Sequence, residues 1–327
     1  MLKILRNVGL ALGGVVGGWI AYSRFQIDHE MPLPKAIDTD RHTYVGRLTK
    51  RQISYYADTS GTGTPLVLIH SINAAGSSYE LKPIFEHYQG QRPVYALDFP
   101  GFGFSERSDK VYSWRLYTDS IIEFLEDVVG QPADVISLSL GSEFSARAAL
   151  EHPALFRSLT MISPSGFTAR ENLVASQRAV DEGNSNGIYK AFSNPIWSQA
   201  FYDLLATRVS IRYFLEQSLE GKPDKGLMEY GYLTCHQPGA KYAPLYFVSG
   251  LLFSPDIQRA VYEQLTIPVL VIYDRDNFVN FDTLPDVVSQ HDNWHATRVT
   301  PTKGLPQFEQ LEAVGSALDA FWGEVIG

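Results

Sequence analysis

Short apolar runs recur along most of the chain, separated by stretches in which apolar residues return every three or four positions. PLVLIH, RPVYALDF, DVISLSL, SLTMISPS and IPVLVIYD lack the polar alternation of a half-exposed strand, so they predict strands buried on both faces. Ahead of them, HTYVGRL and RQISYYADT alternate more and carry the β-branched and aromatic residues of strands, the second ending in the turn SGTGTP. A last candidate, HATRVTP, is less apolar. Between the runs, SWRLYTDSIIEFLEDVVG and GSEFSARAALEH have helical periodicity. Strands alternating with helices imply βαβ units and an α/β fold built on a mostly parallel sheet. No internal repeat is visible.

The alternation breaks in two places. The first 25 residues carry an uncharged run from Asn7 to Ser23, with Lys3 and Arg6 before it and Arg24 after it. As a helix that run would be about 25 Å long, a little short of the ~30 Å hydrocarbon core. It reads as a membrane anchor with Trp19 and Tyr22 near one interface, as a signal peptide ending at Ala21-Tyr22-Ser23, or as a buried helix. Gly13, Gly14, Gly17 and Gly18 weigh against the buried helix, and the uncleaved anchor is favoured over the signal peptide. Lys3 and Arg6 then place the N-terminus on the cytoplasmic side and the main domain outside, although Arg24 dilutes the bias. Residues 26–40 form a polar, proline-containing spacer.

The second break spans 168–265, where several helical patterns occur and no convincing buried strand. The expected organisation is a core of 41–167 and 266–327 with a helical cap, 168–265, inserted after the sixth strand. A cap so placed would overhang the strand ends, where open α/β sheets bind ligands. Its aromatics, from Tyr189 and Phe192 to Tyr246 and Phe247, would mostly form the cap's own core, with a few left to line a pocket.

Composition narrows the function. The 327 residues are 45% hydrophobic and carry a net charge of −9 with no long run of either sign. Without a basic patch, nucleic-acid binding is disfavoured. Cys235 is the single cysteine, which excludes an intrachain disulfide and a multi-cysteine metal site. No metal or organic cofactor is implied, and nothing in the sequence fixes an oligomeric state.

The strongest chemical signal is DVISLSLGSEF, in which an apolar strand runs into Ser139-Leu140-Gly141 and then a helix of small residues. Such an elbow forces a serine into a tight turn, exposes its Oγ and aims a helix N-terminus at developing negative charge. A serine between strand and helix is also a common N-cap, so the elbow alone leaves both readings open. Upstream of it lie VLIHSINAAGSS after one buried strand and LDFPGFGFSER after the next, with Asp98, Gly101, Gly103 and Ser105 in a D-x-x-G-x-G-x-S pattern. From about Arg51 onward the chain resembles the α/β-hydrolase family, in its cap-bearing esterase, lipase, dehalogenase and epoxide-hydrolase branch. It departs from that family in having S-x-S-x-G, with Ser137 first, where G-x-S-x-G is usual, and His70-Ser71 where His-Gly is usual.

The resemblance implies Ser139 as nucleophile and the backbone amides of Ile72 and Leu140 as an oxyanion hole, with His70 structural. It implies Asp276 as triad acid in IPVLVIYDRDNFVN, with Asp274 as runner-up. Since Ser139 stands where dehalogenases and epoxide hydrolases have an aspartate, an ester-like substrate is expected, and the aromatic cap and the anchor favour an apolar or lipidic one. The family's G-H-x-P is written here Lys303-Gly304-Leu305-Pro306, which places Gly304 at the histidine's position, and no histidine follows His295. Serine is a poor nucleophile without a base. Three expectations follow: a replacement base from the cap, with His236 the candidate; a non-catalytic protein that binds an apolar ligand or a protein partner; or a substrate group that fills the space beside Gly304.

Overall fold

A computed structural model describes residues 2–168 and 182–325. Every stretch singled out above as strand-forming contributes one of eight strands: β1 (Asp40–Val45), β2 (Gln52–Asp58), β3 (Leu66–Ile69), β4 (Val94–Asp98), β5 (Ala133–Leu138), β6 (Phe156–Ile162), β7 (Val269–Tyr273) and β8 (Trp294–Arg298). They form one sheet in the order β1-β2-β4-β3-β5-β6-β7-β8. β1 and β2 pair antiparallel at one edge, and β3 to β8 are parallel.

The uninterrupted apolar runs follow from burial of both sheet faces. Val67, Ile69, Val135, Val269 and Val271 pack on one side with Tyr117, Ile121 and Phe144. Leu66, Leu68, Ile136, Leu138, Leu270 and Ile272 pack on the other with Ile84, Phe85, Val314 and Leu318. Successive residues of a strand point to opposite faces, so each run fills two cores at once. Each such aliphatic side chain contributes roughly 1.5–3 kcal/mol on burial.

The helices are α1 (Leu2–Gln26), α2 (Lys82–Tyr88), α3 (Trp114–Phe124), α4 (Gly141–Glu151), α5 (Glu182–Phe192), α6 (Ser198–Leu205), α7 (Arg208–Ser218), α8 (Lys225–Cys235), α9 (Tyr242–Val248), α10 (Ile257–Ala260), α11 (Leu284–Gln290), α12 (Pro306–Glu309) and α13 (Leu311–Val325). From β6 to β7 the described elements are all helical, while 169–181 of the expected cap lie outside the described residues. Most of the aromatics in this segment are used in packing. Phe192 stacks on Phe201 with centroids 4.2 Å apart, Tyr189 meets Tyr246 at 4.2 Å, and Tyr230 stacks on Tyr79 at 4.9 Å.

The N-terminal segment differs from expectation. Among the described residues no helix is long and apolar enough to cross a membrane, so the expected bilayer-spanning helix is not found. The uncharged run is short, its glycines add little hydropathy, and Lys3, Arg6 and Arg24 bound it. The second half of α1 instead packs on α6. The Trp19 indole donates to Ala200 O at 2.8 Å, and Ser23 Oγ donates to the buried Asp203 at 2.5 Å. His29 Nε2 reaches the same carboxylate at 3.0 Å. The spacer does not run free either. Met31 N donates to His236 O at 3.3 Å, Gln237 Nε2 donates to Met31 O at 2.7 Å, and Ala36 and Ile37 are buried in the core.

Candidate active site

β5 is buried along its whole length, and the chain leaves it at Ser139 with φ +51°. A non-glycine residue there costs of order 1–3 kcal/mol and persists only where its surroundings over-determine it. Those surroundings are visible. The Ser139 amide donates to Ile162 O of β6 at 2.8 Å, and its carbonyl accepts from Ser142 N at 3.0 Å. A Cβ on Gly141 would stand 2.5 Å from His70 O, so only glycine lets α4 start this close to β3. Ser137 fits where the family has glycine because its hydroxyl donates to Thr160 O at 3.4 Å and meets Ser142 Oγ at 3.3 Å. The turn leaves Ser139 half-buried in the wall of a cavity of about 580 Å³, and no described residue hydrogen-bonds its Oγ.

The loop after β3 forms a second wall. Phe99 N donates to His70 Nε2 at 3.0 Å, and His70 Nδ1 lies 2.5 Å from Ser71 O, a pattern that fixes the tautomer with the proton on Nδ1. Burial lowers the pKa of this imidazole, which has no access to the cavity lining. Ile72 follows and lines the cavity with Leu140. Neither amide donates to a described backbone carbonyl, so among the described residues two N–H groups beside Ser139 are without a backbone partner. The D-x-x-G-x-G-x-S stretch is architectural. Asp98 accepts from Ser78 N, Ser78 Oγ and Phe104 N at 2.7 to 3.0 Å, and a Cβ on Gly103 would sit 2.0 Å from the Asp98 carboxyl carbon.

The two candidate acids have different surroundings. Burial raises the pKa of Asp274, but the Thr302 amide (3.0 Å) and the Arg298 guanidinium (2.7 Å) outweigh it and hold the carboxyl below its usual range. Asp276 lines the Ser139 cavity. Its Oδ1 accepts from Phe278 N at 2.7 Å and Val279 N at 3.3 Å, and burial nonetheless pushes its pKa up. Gly304 lines the same cavity, and a Cβ on it would lie 2.7 Å from Asp276 Oδ2. The carboxylate therefore leans into the room that a side chain at 304 would take. Glu309 holds this loop in place, with Oε2 accepting from Lys303 N at 3.1 Å and Oε1 from Glu220 N at 2.6 Å and Gly221 N at 2.9 Å.

No histidine stands among the described residues of the cavity wall. His236 does not reach it, which removes the geometric basis for a replacement base from α8. Leu227 and Gly231 are the α8 residues that face the cavity, and His236 caps the helix on another side. Its Nδ1 lies 2.7 Å from Tyr232 O, and its ring packs at a tilt against Tyr232 at 4.1 Å and stacks on His29 at 6.2 Å. His295 pairs with Leu270 near the start of β7, away from the strand end that carries Asp276. Among the described residues no group of three or more His, Cys, Asp or Glu is placed to hold a metal ion.

Two features escaped the sequence reading. Glu80 is a buried carboxylate in the cavity wall. It accepts from Ser71 N (2.9 Å), Ser71 Oγ (3.0 Å) and Asn73 Nδ2 (2.7 Å), and so shapes the loop that carries Ile72. A glutamate in the helical turn SSYEL after an HSIN loop was its only trace. Glu143, one turn into α4, accepts from Ser165 Oγ at 2.6 Å and Ser254 N at 3.1 Å beside a second cavity of about 840 Å³ that shares Ser165, Phe247 and Phe253 with the first. Of the aromatics between β6 and β7 singled out from sequence, Phe214 and Phe247 line the Ser139 cavity.

Residues 66–316 match the profile of the Alpha/beta hydrolase family. The chain belongs to that family. This α/β-hydrolase is 28% identical over 120 residues to the uncharacterized hydrolase YugF of Bacillus subtilis, a match covering 36% of the chain and 43% of that protein. It is 26% identical over 228 residues to the pimeloyl-(acyl-carrier protein) methyl ester esterase of Aliivibrio salmonicida, covering 68% and 77%. The chain thus spans less than half the length of the first curated relatives it matches. In fold it is similar to a membrane phospholipase A crystal structure, with a TM-score of 0.70 at 16% identity over 100% of both chains.

Proposed function

We propose that this α/β-hydrolase is an atypical serine hydrolase that acts on an apolar ester through Ser139, with Asp276 as the acid of a triad that lacks its histidine. The observation that carries the reading is convergence. One largely apolar cavity receives a strained serine, two backbone amides and a carboxylate, and among the described residues the serine hydroxyl and the two amides have no hydrogen-bond partner. Ser139 Oγ attacks the ester carbonyl carbon, and the carbonyl electron pair moves to an oxygen held by the Ile72 and Leu140 amides. When that pair returns, the bond from carbon to the alcohol oxygen breaks, the alcohol departs carrying the proton that Oγ gave up, and water hydrolyses the acyl-Ser139 to the free acid. The walls contributed by Leu138, Leu140, Leu215, Phe247 and Phe253 suit an acyl chain. A fluorophosphonate probe is expected to label the wild type and not Ser139→Ala. An unlabelled wild type would remove the catalytic reading.

The absence of a histidine from the described cavity wall favours a second reading, an inactive homologue that keeps the pocket for an apolar ligand or a protein partner. On that reading native mass spectrometry finds a retained lipid while no acyl-enzyme ever forms. We further propose that α1 tethers the protein to a membrane surface. Its uncharged run from Asn7 to Ser23 and the flanking Lys3, Arg6 and Arg24 support interfacial binding. Flotation with anionic vesicles checks this, with loss of binding expected when residues 1–25 are deleted.

A further inference from the structure

The Ser139 cavity holds two carboxylates, and they differ in how they are satisfied. Glu80 accepts from three donors of its own loop. Asp276 Oδ1 takes the Phe278 and Val279 amides, the neighbouring Asn277 amide also favours the charged carboxylate, and no hydrogen bond given for the described residues ends on Oδ2. That bare oxygen lies beside the hydrogen face of Gly304, 2.7 Å from where a Cβ would stand. Asp276 is only half-buried and the oxygen opens on the cavity, so a ligand N–H that enters the cavity can hydrogen-bond it. The nearest atom outside Asp276 is Ser218 Cβ at 3.9 Å from that Cβ position, with the Ser218 hydroxyl already donating to Phe214 O, and Leu305, Val279 and Leu140 line the same cavity without a side-chain donor.

We infer that the slot beside Gly304 binds a weakly basic nitrogen group carried by the alcohol part of the ester, and that this group takes the Ser139 proton in place of a resident histidine. An imidazole is the model case. One ring N–H donates to Asp276 Oδ2 while the other nitrogen faces Ser139 Oγ. The Oγ–H proton passes to that nitrogen as Oγ bonds to the carbonyl carbon, and the carbonyl electron pair goes to the oxygen held by the two amides. When the pair returns, the bond from carbon to the alcohol oxygen breaks, and that oxygen takes the proton back from the imidazolium. The products are acyl-Ser139 and the free basic alcohol, with charge and protons balanced. Once this alcohol leaves, the acyl-enzyme again lacks a base. Its discharge then waits for a second basic molecule in the slot, so a basic alcohol competes with water as acyl acceptor.

The inference rests on the Ser139 reading above, and the test separates the two. Full-length protein is offered 2-(imidazol-4-yl)ethyl octanoate and its pyrazol-4-yl analogue, which has the same shape and much lower basicity, with acylation followed by intact mass and alcohol release. The imidazole ester is expected to react at least a hundredfold faster after correction for the uncatalysed ratio. Asp276→Asn, which retains Oδ1 as acceptor for the two amides, should reduce that preference at least tenfold, and Ser139→Ala should abolish both reactions. Equal Ser139-dependent rates for the two esters would overturn the slot while leaving Ser139 as nucleophile. If neither ester reacts through Ser139, the nucleophile reading falls and binding decides the slot. Calorimetry would then have to show 4-octylimidazole binding at least tenfold tighter than 4-octylpyrazole in wild type but not in Asp276→Asn, and equal affinities would overturn it.

Discussion

Replacing Gly304 with histidine puts the missing base back, and the structure sets how much activity should return. Gly304 is not held at positive φ, so a side chain is compatible with its backbone. The obstacle is Asp276 Oδ2, which would lie 2.7 Å from the new Cβ where ordinary contact begins at 3.4 Å, so the carboxylate must withdraw by about 0.7 Å. A full catalytic base is worth about a millionfold in turnover. A displacement of about 1 Å in such a site costs about a hundredfold. The expected gain is therefore roughly ten-thousandfold, or about 5 kcal/mol off the barrier. Hydrolysis of p-nitrophenyl butyrate measures it, with Gly304→His/Ser139→Ala as the control that should fall to background. The gained activity should also rise with pH as the imidazole loses its proton, near pH 6–7. A folded Gly304→His protein with unchanged thermal midpoint and less than a tenfold gain would refute the reasoning, as would a gain that survives loss of Ser139.

Three further outcomes follow from the same contacts. Gly103→Ala sets a Cβ against the Asp98 carboxylate at φ +50°, so urea unfolding should show a loss of roughly 2–4 kcal/mol. Burial pushes Glu143 up to about 7, against the Ser165 and Ser254 hydrogen bonds and Arg147. A carboxyl raised in the fold contributes stability below its unfolded pKa and loses it as pH rises through 7. Wild type should thus lose on the order of 3 kcal/mol relative to Glu143→Gln between pH 4.5 and 8, read from paired urea midpoints. Asp203→Ala removes the acceptor shared by Ser23 and His29. Trp19 should then become more accessible to acrylamide quenching while the far-ultraviolet spectrum changes little.

The sheet was legible because each buried strand must fill two cores, and that demand writes itself as an unbroken apolar run, as in PLVLIH and IPVLVIYD. The elbow was legible for a related reason, since Ser139-Leu140-Gly141 needs a small residue against His70 O whatever else changes. Contacts set by the tertiary arrangement left no such trace. Nothing local announces that Glu80 satisfies the Ser71 loop, that the Asp276 carboxylate leans over Gly304, or that His236 turns toward His29 and away from the cavity. The N-terminal segment misled for a physical reason as well. An uncharged glycine-rich helix reads alike whether it meets lipid or another helix, and the deciding partner, Asp203, lies 180 residues further along the chain from Ser23.

That pairing has a mechanical consequence. Trp19, Ser23 and His29 grip α6 and Asp203, and α6 contributes Leu205 to the roof over Ser139. The leading end of the chain and the roof of the cavity are therefore mechanically joined. A load applied to the N-terminus reaches α6 directly, and through the Tyr202 hydroxyl on Ala74 O it passes to the loop after β3 that forms another wall of the cavity.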